Sequence, residues 1–309
     1  DKVFTERYLM KWQGQIVPNH WQIMLPRQIL QSKAPPASRP DCSKCPMDDI
    51  GDPRNYARCC TFYPEMPQFT LTEAYLERPE DDVWESLVTR RLLLPEGLIP
   101  SPYRLQRIGS GPCDFFHRQT GQCGVYLQRN PICSGWFCRS SSANQEAYWS
   151  AIKHYIGHCE TVIRQWLLEE IGFDLESYVQ CFDELAAQVT KISDLQTEGW
   201  RRDIYETLWQ GYIGHEWELM CRAYEHYKDN IQNLDKVLKS RKIRYSKSFT
   251  TALRTMLGPH YRGVEIVSYE NYFDLTTAMN KAQKCLEQEN GALQGEPNSV
   301  VNRVLQTSI

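Results

Sequence analysis

Residues 142–167 read SANQEAYWSAIKHYIGHCETVIRQWL. Trp149, Ile152, Tyr155 and Ile156, Cys159, Val162 and Ile163, then Trp166 and Leu167 recur at spacings of three and four. That period places all of them on one stripe of an α-helix. Ser142, followed three residues later by Gln145, is a capping-box start for it. Toward the C-terminus the same period predicts a second helix over 175–191. A long third pattern runs from Ile204 through Leu208, Tyr212, Leu219, Ala223, Tyr227, Ile231 and Leu234 to Leu238. Shorter helices are expected over 248–257 and 271–287. Residues 142–290 therefore read as an α-helical bundle, and residues 291–309 as a polar tail that frays.

Toward the N-terminus the character changes. Residues 34–40, APPASRP, form a stiff proline-rich connector, and residues 41–141 are rich in Pro, Gly and Cys with little periodicity. One short helix is expected near Trp21–Leu25. Another is expected over 81–93, with Pro79 before it, acidic residues in its first turn and Pro95 after it. The expected fold is mainly α: a loop-rich cysteine module over 1–141, then the helical bundle.

The chain has 309 residues, a net charge of −3 and 41% hydrophobic residues, so it has ample material for a core. Near-neutral charge does not mark a general polyanion binder, and nucleic acid is not an expected partner. Mean hydropathy is −0.55, and no apolar run approaches the roughly 20 residues of a membrane span. No basic start followed by an apolar stretch is present, so a cytoplasmic protein is expected. One charge run stands out: residues 236–264 hold Lys236, Lys239, Arg241, Lys242, Arg244, Lys247, Arg254 and Arg262 and no acid. It suits either an acidic or redox partner protein or a solvated helix end.

Twelve cysteines are present, and eight lie between residues 42 and 138: Cys42, Cys45, Cys59, Cys60, Cys113, Cys123, Cys133 and Cys138. A chain of this size needs no staples, so clustered thiols read as metal ligands or redox groups before disulfides. The turn Cys42-Ser43-Lys44-Cys45 lets two thiolates converge on one centre. Cys59 and Cys60 are adjacent, so in extended chain they point to opposite faces and suit two neighbouring sites. Cys113, Cys123, Cys133 and Cys138 are interleaved with Gly and Pro, which permit the turns needed to fold four ligands inward. Phe115, Phe116, Trp136 and Phe137 would shield them. Irregular spacing with Pro beside Cys favours an iron–sulfur cluster over zinc, although four thiolates suit both. Eight ligands suffice for two [4Fe–4S] centres, with Cys59 and Cys60 divided between them. Cys159 sits within the apolar stripe and reads as a core residue, with His154 and His158 hydrogen-bonded or solvated. The His-Glu-x-x-His, Glu-x-x-His and Gly-x4-Gly-Lys signatures are absent.

The order Cys-x2-Cys, Cys-Cys, then Cys123-Gly124-Val125-Tyr126-Leu127-Gln128-Arg129-Asn130-Pro131-Ile132-Cys133 resembles the YkgJ-type CxxCxxCC family of zinc- or iron-chelating proteins, over residues 42–140 only. The family hallmark runs Cys-x-Val/Ile-Tyr-x-x-Arg-Pro-x-x-Cys-Arg. Here the proline comes one position later, at Pro131, and Ser134 stands in place of the last arginine. Thirteen residues separate Cys45 from Cys59. Similar segments are associated with flagellin lysine-N-methylase, where an iron–sulfur cluster is implied. The resemblance thus implies a metal cofactor held by the eight cysteines. Three functions stay open: an iron–sulfur protein in electron transfer or redox support, a zinc-stabilised interaction module without catalysis, and an enzyme resembling the methylase.

Overall fold

The computed structural model describes residues 9–12, 15–18, 20–31, 65–99, 113–117, 122–134, 143–188 and 199–241, with isolated helical positions at 277, 280, 284 and 287. These residues are mostly helical, with three small antiparallel sheets. The predicted segment 248–257 lies outside them, and of 271–287 only the four isolated positions are described.

In chain order come β1 (Leu9–Trp12), β2 (Gln15–Pro18), α1 (Trp21–Met24), α2 (Arg27–Gln31), β3 (Met66–Pro67), α3 (Gln68–Glu77), α4 (Val83–Thr89), β4 (Leu93–Leu94), β5 (Gly97–Leu98), β6 (Phe116–His117), β7 (Gln122–Cys123), α5 (Pro131–Ser134), α6 (Ala143–Glu170), α7 (Leu175–Gln188), α8 (Arg202–Trp209), α9 (Glu216–Asp229), a 3-10 turn (Ile231–Asn233) and α10 (Leu234–Ser240). β1 pairs with β2, β3 and β4 flank β5, and β6 pairs with β7, all antiparallel.

The 28-residue α6 is the axis of the fold. Its stripe is buried as the spacing predicts, from Trp149 and Ile152 through Tyr155, Ile156 and Cys159 to Ile163 and Leu167. Each large apolar side chain sunk this way contributes about 1.5–3 kcal/mol relative to exposure. Around the stripe pack Trp21 and Met24 of α1 with Leu25 just after it, Phe69 of α3, Ala223, Tyr224 and Tyr227 of α9, and Leu234 and Leu238 of α10. The helix ends in a Schellman motif. Gly172 takes φ +77°, its N–H donates to Glu169 O at 3.0 Å, and Phe173 N–H reaches back to Leu168 O at 2.9 Å. Phe173 and Leu168 then share the second core. Asp174 starts α7 at once, its Oδ1 accepting Ser177 N–H at 3.0 Å.

The second core joins α4, β4, β5, α7, α8 and the start of α9 through Trp84, Leu87, Leu93, Leu98, Tyr178, Leu208, Trp209 and Met220. Two of its indoles are satisfied by backbone: Trp209 Nε1 donates to Leu93 O at 3.0 Å and Trp200 Nε1 to Ile99 O at 2.9 Å. Both cores draw residues from either side of residue 142.

Three expectations are corrected. The long third pattern is not one helix: it breaks into α8, α9, the 3-10 turn and α10. Gln210 at φ +53° and Gly214 at φ +82° turn the chain between α8 and α9. The helix expected over 81–93 is confined to α4, because Leu93–Leu94 leaves it to pair with β5. Finally, α3 lies in a stretch where no helix is expected from the sequence. Pro67 precedes its first residue, and Gln68, Phe69, Thr70, Leu71, Thr72 and Ala74 are all buried. A helix covered on most sides carries no polar face to mark its period.

Candidate metal centre

Of the eight candidate ligands, Cys113, Cys123 and Cys133 fall within the described residues. Cys42, Cys45, Cys59, Cys60 and Cys138 lie outside them, as do Trp136 and Phe137. The three described thiols sit on one unit made of a tight turn, the β6–β7 ribbon and the short helix α5. Cys113 O accepts the N–H of Phe116 at 2.9 Å, closing the turn, and Phe115 O accepts the N–H of Gly124 at 2.7 Å. In the ribbon Phe116 stands opposite Cys123 and His117 opposite Gln122. Side chains alternate along a strand, so His117 is carried on the face opposite Cys123. A Cβ on Gly124 would lie 2.8 Å from His117 Nε2, which places the imidazole alongside Gly124.

Val125, 3% exposed, and Phe115 anchor the unit in the second core, where the Phe115 ring meets Trp84 at 5.8 Å. Beyond the ribbon, the guanidinium of Arg129 lies over the ring of Tyr126 at 3.8 Å, so the Tyr-x-x-Arg spacing has a physical use as a cation–π pair. Gln128 Nε2 donates to Glu77 Oε2 of α3 at 3.0 Å. Asn130 caps α5: its Oδ1 accepts the N–H of Cys133 at 2.8 Å, with Pro131 in the first helical position, where it loses no hydrogen bond. Asp114, next to Cys113, is held at 2.9 Å by Nη1 of Arg90, the residue that ends α4.

Cys113 and Cys123 are half-buried and Cys133 is exposed. Burial pushes the Cys113 thiol well above the usual range. A hydrogen bond from the Phe115 backbone opposes the shift, and the charges of Cys133, Cys123 and Asp114 add to it. The three thiols, ten positions apart in sequence, therefore lie within electrostatic reach of one another. Soft thiolates are the donors that suit zinc, iron and iron–sulfur clusters. Among the described residues, however, no three His, Cys, Asp or Glu side chains gather closely enough to hold one metal ion. The donor chemistry fits; a closed ligand set is not seen among these residues.

Behind the unit lies a polar cluster, buried except at Glu65, that sequence reasoning missed. Arg164 Nη1 of α6 contacts Glu65 Oε1 at 2.7 Å, and its Nη2 donates to Thr161 Oγ1 at 2.8 Å. Glu160, one turn earlier, meets His20 Nε2 at 3.3 Å. The Glu160 carboxyl is pushed up by burial, which outweighs the lowering effect of the His20 hydrogen bond and of the charges on His20 and Arg164. His158 is also buried rather than solvated, and burial lowers its pKa to about 4. Polar residues inside an otherwise apolar helix were the available signal for this cluster. Of the basic stretch, Lys239 is paired with Asp235 at 2.6 Å, and Arg241 with Glu169 and Glu170. These two basic residues are thus paired within the chain itself.

No helix among the described residues is long and apolar enough to cross a membrane. Compared with known proteins, the chain matches no protein-family model, no curated protein and no solved structure.

Proposed function

We propose that the chain is an iron–sulfur cluster-binding protein of the YkgJ-type cysteine-rich class, working in electron transfer or in redox support of a reaction in a reducing compartment. The observation that supports this reading is the placement of Cys113, Cys123 and Cys133 on one turn–ribbon–helix unit, within electrostatic reach of one another. Thiolates crowded in this way gain from a shared cation. Cys138 and the four upstream cysteines would complete the ligand sets. A bound cluster supplies one-electron chemistry at a potential set by burial and by hydrogen bonds to its sulfurs. The chain's own contribution is to hold the thiols on a braced turn, with Phe115 limiting water on one side. An acidic face on a redox partner would meet the basic stretch beyond Arg241.

Anaerobic purification tests the reading. A brown protein with broad visible absorbance and matching iron and sulfide is expected, and a colourless protein holding only zinc overturns it. About eight irons per chain is expected for two [4Fe–4S] centres, and about four refutes the division of Cys59 and Cys60 between two centres.

A further inference from the structure

Asn130 does two jobs at once. Its Oδ1 accepts the Cys133 N–H at 2.8 Å, and its Nδ2 donates to the main-chain O of Glu65 at 2.9 Å. Glu65 in turn takes Arg164 Nη1 of α6 at 2.7 Å. Asn130 is 2% exposed and Arg164 is 4% exposed. Turned over, the Asn130 amide would set its NH2 against the Cys133 N–H and its oxygen against the Glu65 carbonyl, so only one orientation satisfies both ends. The cap fixes the backbone at Cys133, and the second bond fixes the cap to a strand end braced by the central helix. Cys133 itself is exposed, so packing alone does not hold its thiol.

We propose that Asn130 is a positioning residue that sets where the Cys133 thiol lies, and that Glu65 and Arg164 transmit its placement from α6. The metal centre is then built on the core helix rather than on a self-contained loop. This rests on the metal-binding reading above. The neighbouring Asn-Pro step belongs to this chain's own departure from the hallmark spacing.

Three substitutions, two at Asn130 and one at Arg164, probe this arrangement. Asn130→Ser keeps an acceptor for the Cys133 N–H but cannot reach Glu65 O. Asn130→Asp keeps the cap and sets a carboxylate oxygen against that carbonyl. Arg164→Lys keeps the charge and loses the second donor to Thr161. Each purified full-length variant is read in two ways: alkylation rate at Cys133 on metal-stripped folded protein, located by mass spectrometry, and the visible and electron paramagnetic resonance spectra per bound iron.

The expected result is a Cys133 alkylation rate changed at least several-fold in Asn130→Asp and Asn130→Ser, with an altered spectrum per iron, and a smaller change in Arg164→Lys. A lowered thermal midpoint with unchanged alkylation rate and unchanged spectrum would assign Asn130 to stability only and overturn the proposal. If the wild type binds no iron, the cluster reading falls. The alkylation ratio still decides on Asn130, because it needs no metal. Should Asn130→Asp fail to fold, Asn130→Ser and Arg164→Lys carry the same comparison.

Discussion

Gly97 sits at φ +128°, and a Cβ built there would stand 2.1 Å from Met66 O and 2.7 Å from Gln68 N. Here β3, β5 and the first residue of α3 approach one another, with Gln68 N–H donating to Glu96 O at 2.9 Å. Gly97→Ala therefore combines backbone strain with a clash against main chain that cannot swing aside. A loss of about 3 kcal/mol or more is expected in urea unfolding; a loss under about 1 kcal/mol would mean that the strand pair shifts at little cost. At the same scale, Cys113, Cys123 and Cys133, which the sequence singled out by density, fall on one turn–ribbon–helix unit. What spacing could not supply was their support. Asn130, Arg90 and Arg164 are ordinary polar residues in sequence, and they matter through partners 24 to 99 positions away. The Asn-Pro step was a readable helix start, but nothing in it pointed to Glu65.

Between elements, the contact of α3 with α9 shows why some helices are legible and others are not. Phe69 stacks on Tyr227 at 4.6 Å, Tyr224 Oη donates to Glu73 at 3.0 Å, and Tyr75 stacks on Trp217 at 4.1 Å. As the number rises on α3 it falls on α9, so the helices run antiparallel along an aromatic seam. Helix α9 has an exposed polar side, and its period is visible in sequence. Helix α3 is sandwiched between α9, β5 and the core, so its sequence QFTLTEAYLE shows no clean face. The two-residue strands are too short to show any alternation. The seam is testable. Phe69, 1% exposed, fills the centre of the first core, and Phe69→Ala should cost about 3–5 kcal/mol. Leu76 on the same helix is 49% exposed, and Leu76→Ala should change stability by no more than about 0.5 kcal/mol. Equal effects at the two positions, read from urea midpoints at constant m-value, would contradict the burial assigned to α3.

Across the whole molecule the two cores knit the N-terminal elements to α6, and the buried titratable groups on that helix govern how this assembly responds to pH. Burial depresses the folded pKa of His158 to about 4, against about 6.5 in an unfolded chain. Its contribution is present above about pH 6.5 and is lost as pH falls toward 4, because the unfolded state takes up the proton first. Two and a half pH units correspond to about 3 kcal/mol at most. Glu160 has the opposite sign. Its folded pKa is raised by burial, so its contribution is complete below the ordinary glutamate value of about 4.3 and is lost as pH rises through the folded value. His20, Arg164, Glu65 and Tyr227 are the groups that face it. The two effects run against each other above pH 4.3, and single substitutions should separate them. His158→Gln should flatten the fall in stability between about pH 6.5 and 4, whatever it does to the absolute level, because the titrating group is gone. Glu160→Gln should steepen the rise in stability with pH over the same interval, since only the opposing histidine is left. Unfolding free energies measured at half-unit steps of pH give both slopes. If His158→Gln kept the slope of the parent protein, the acid limb would belong to other groups and the imidazole of His158 would be open to water in solution.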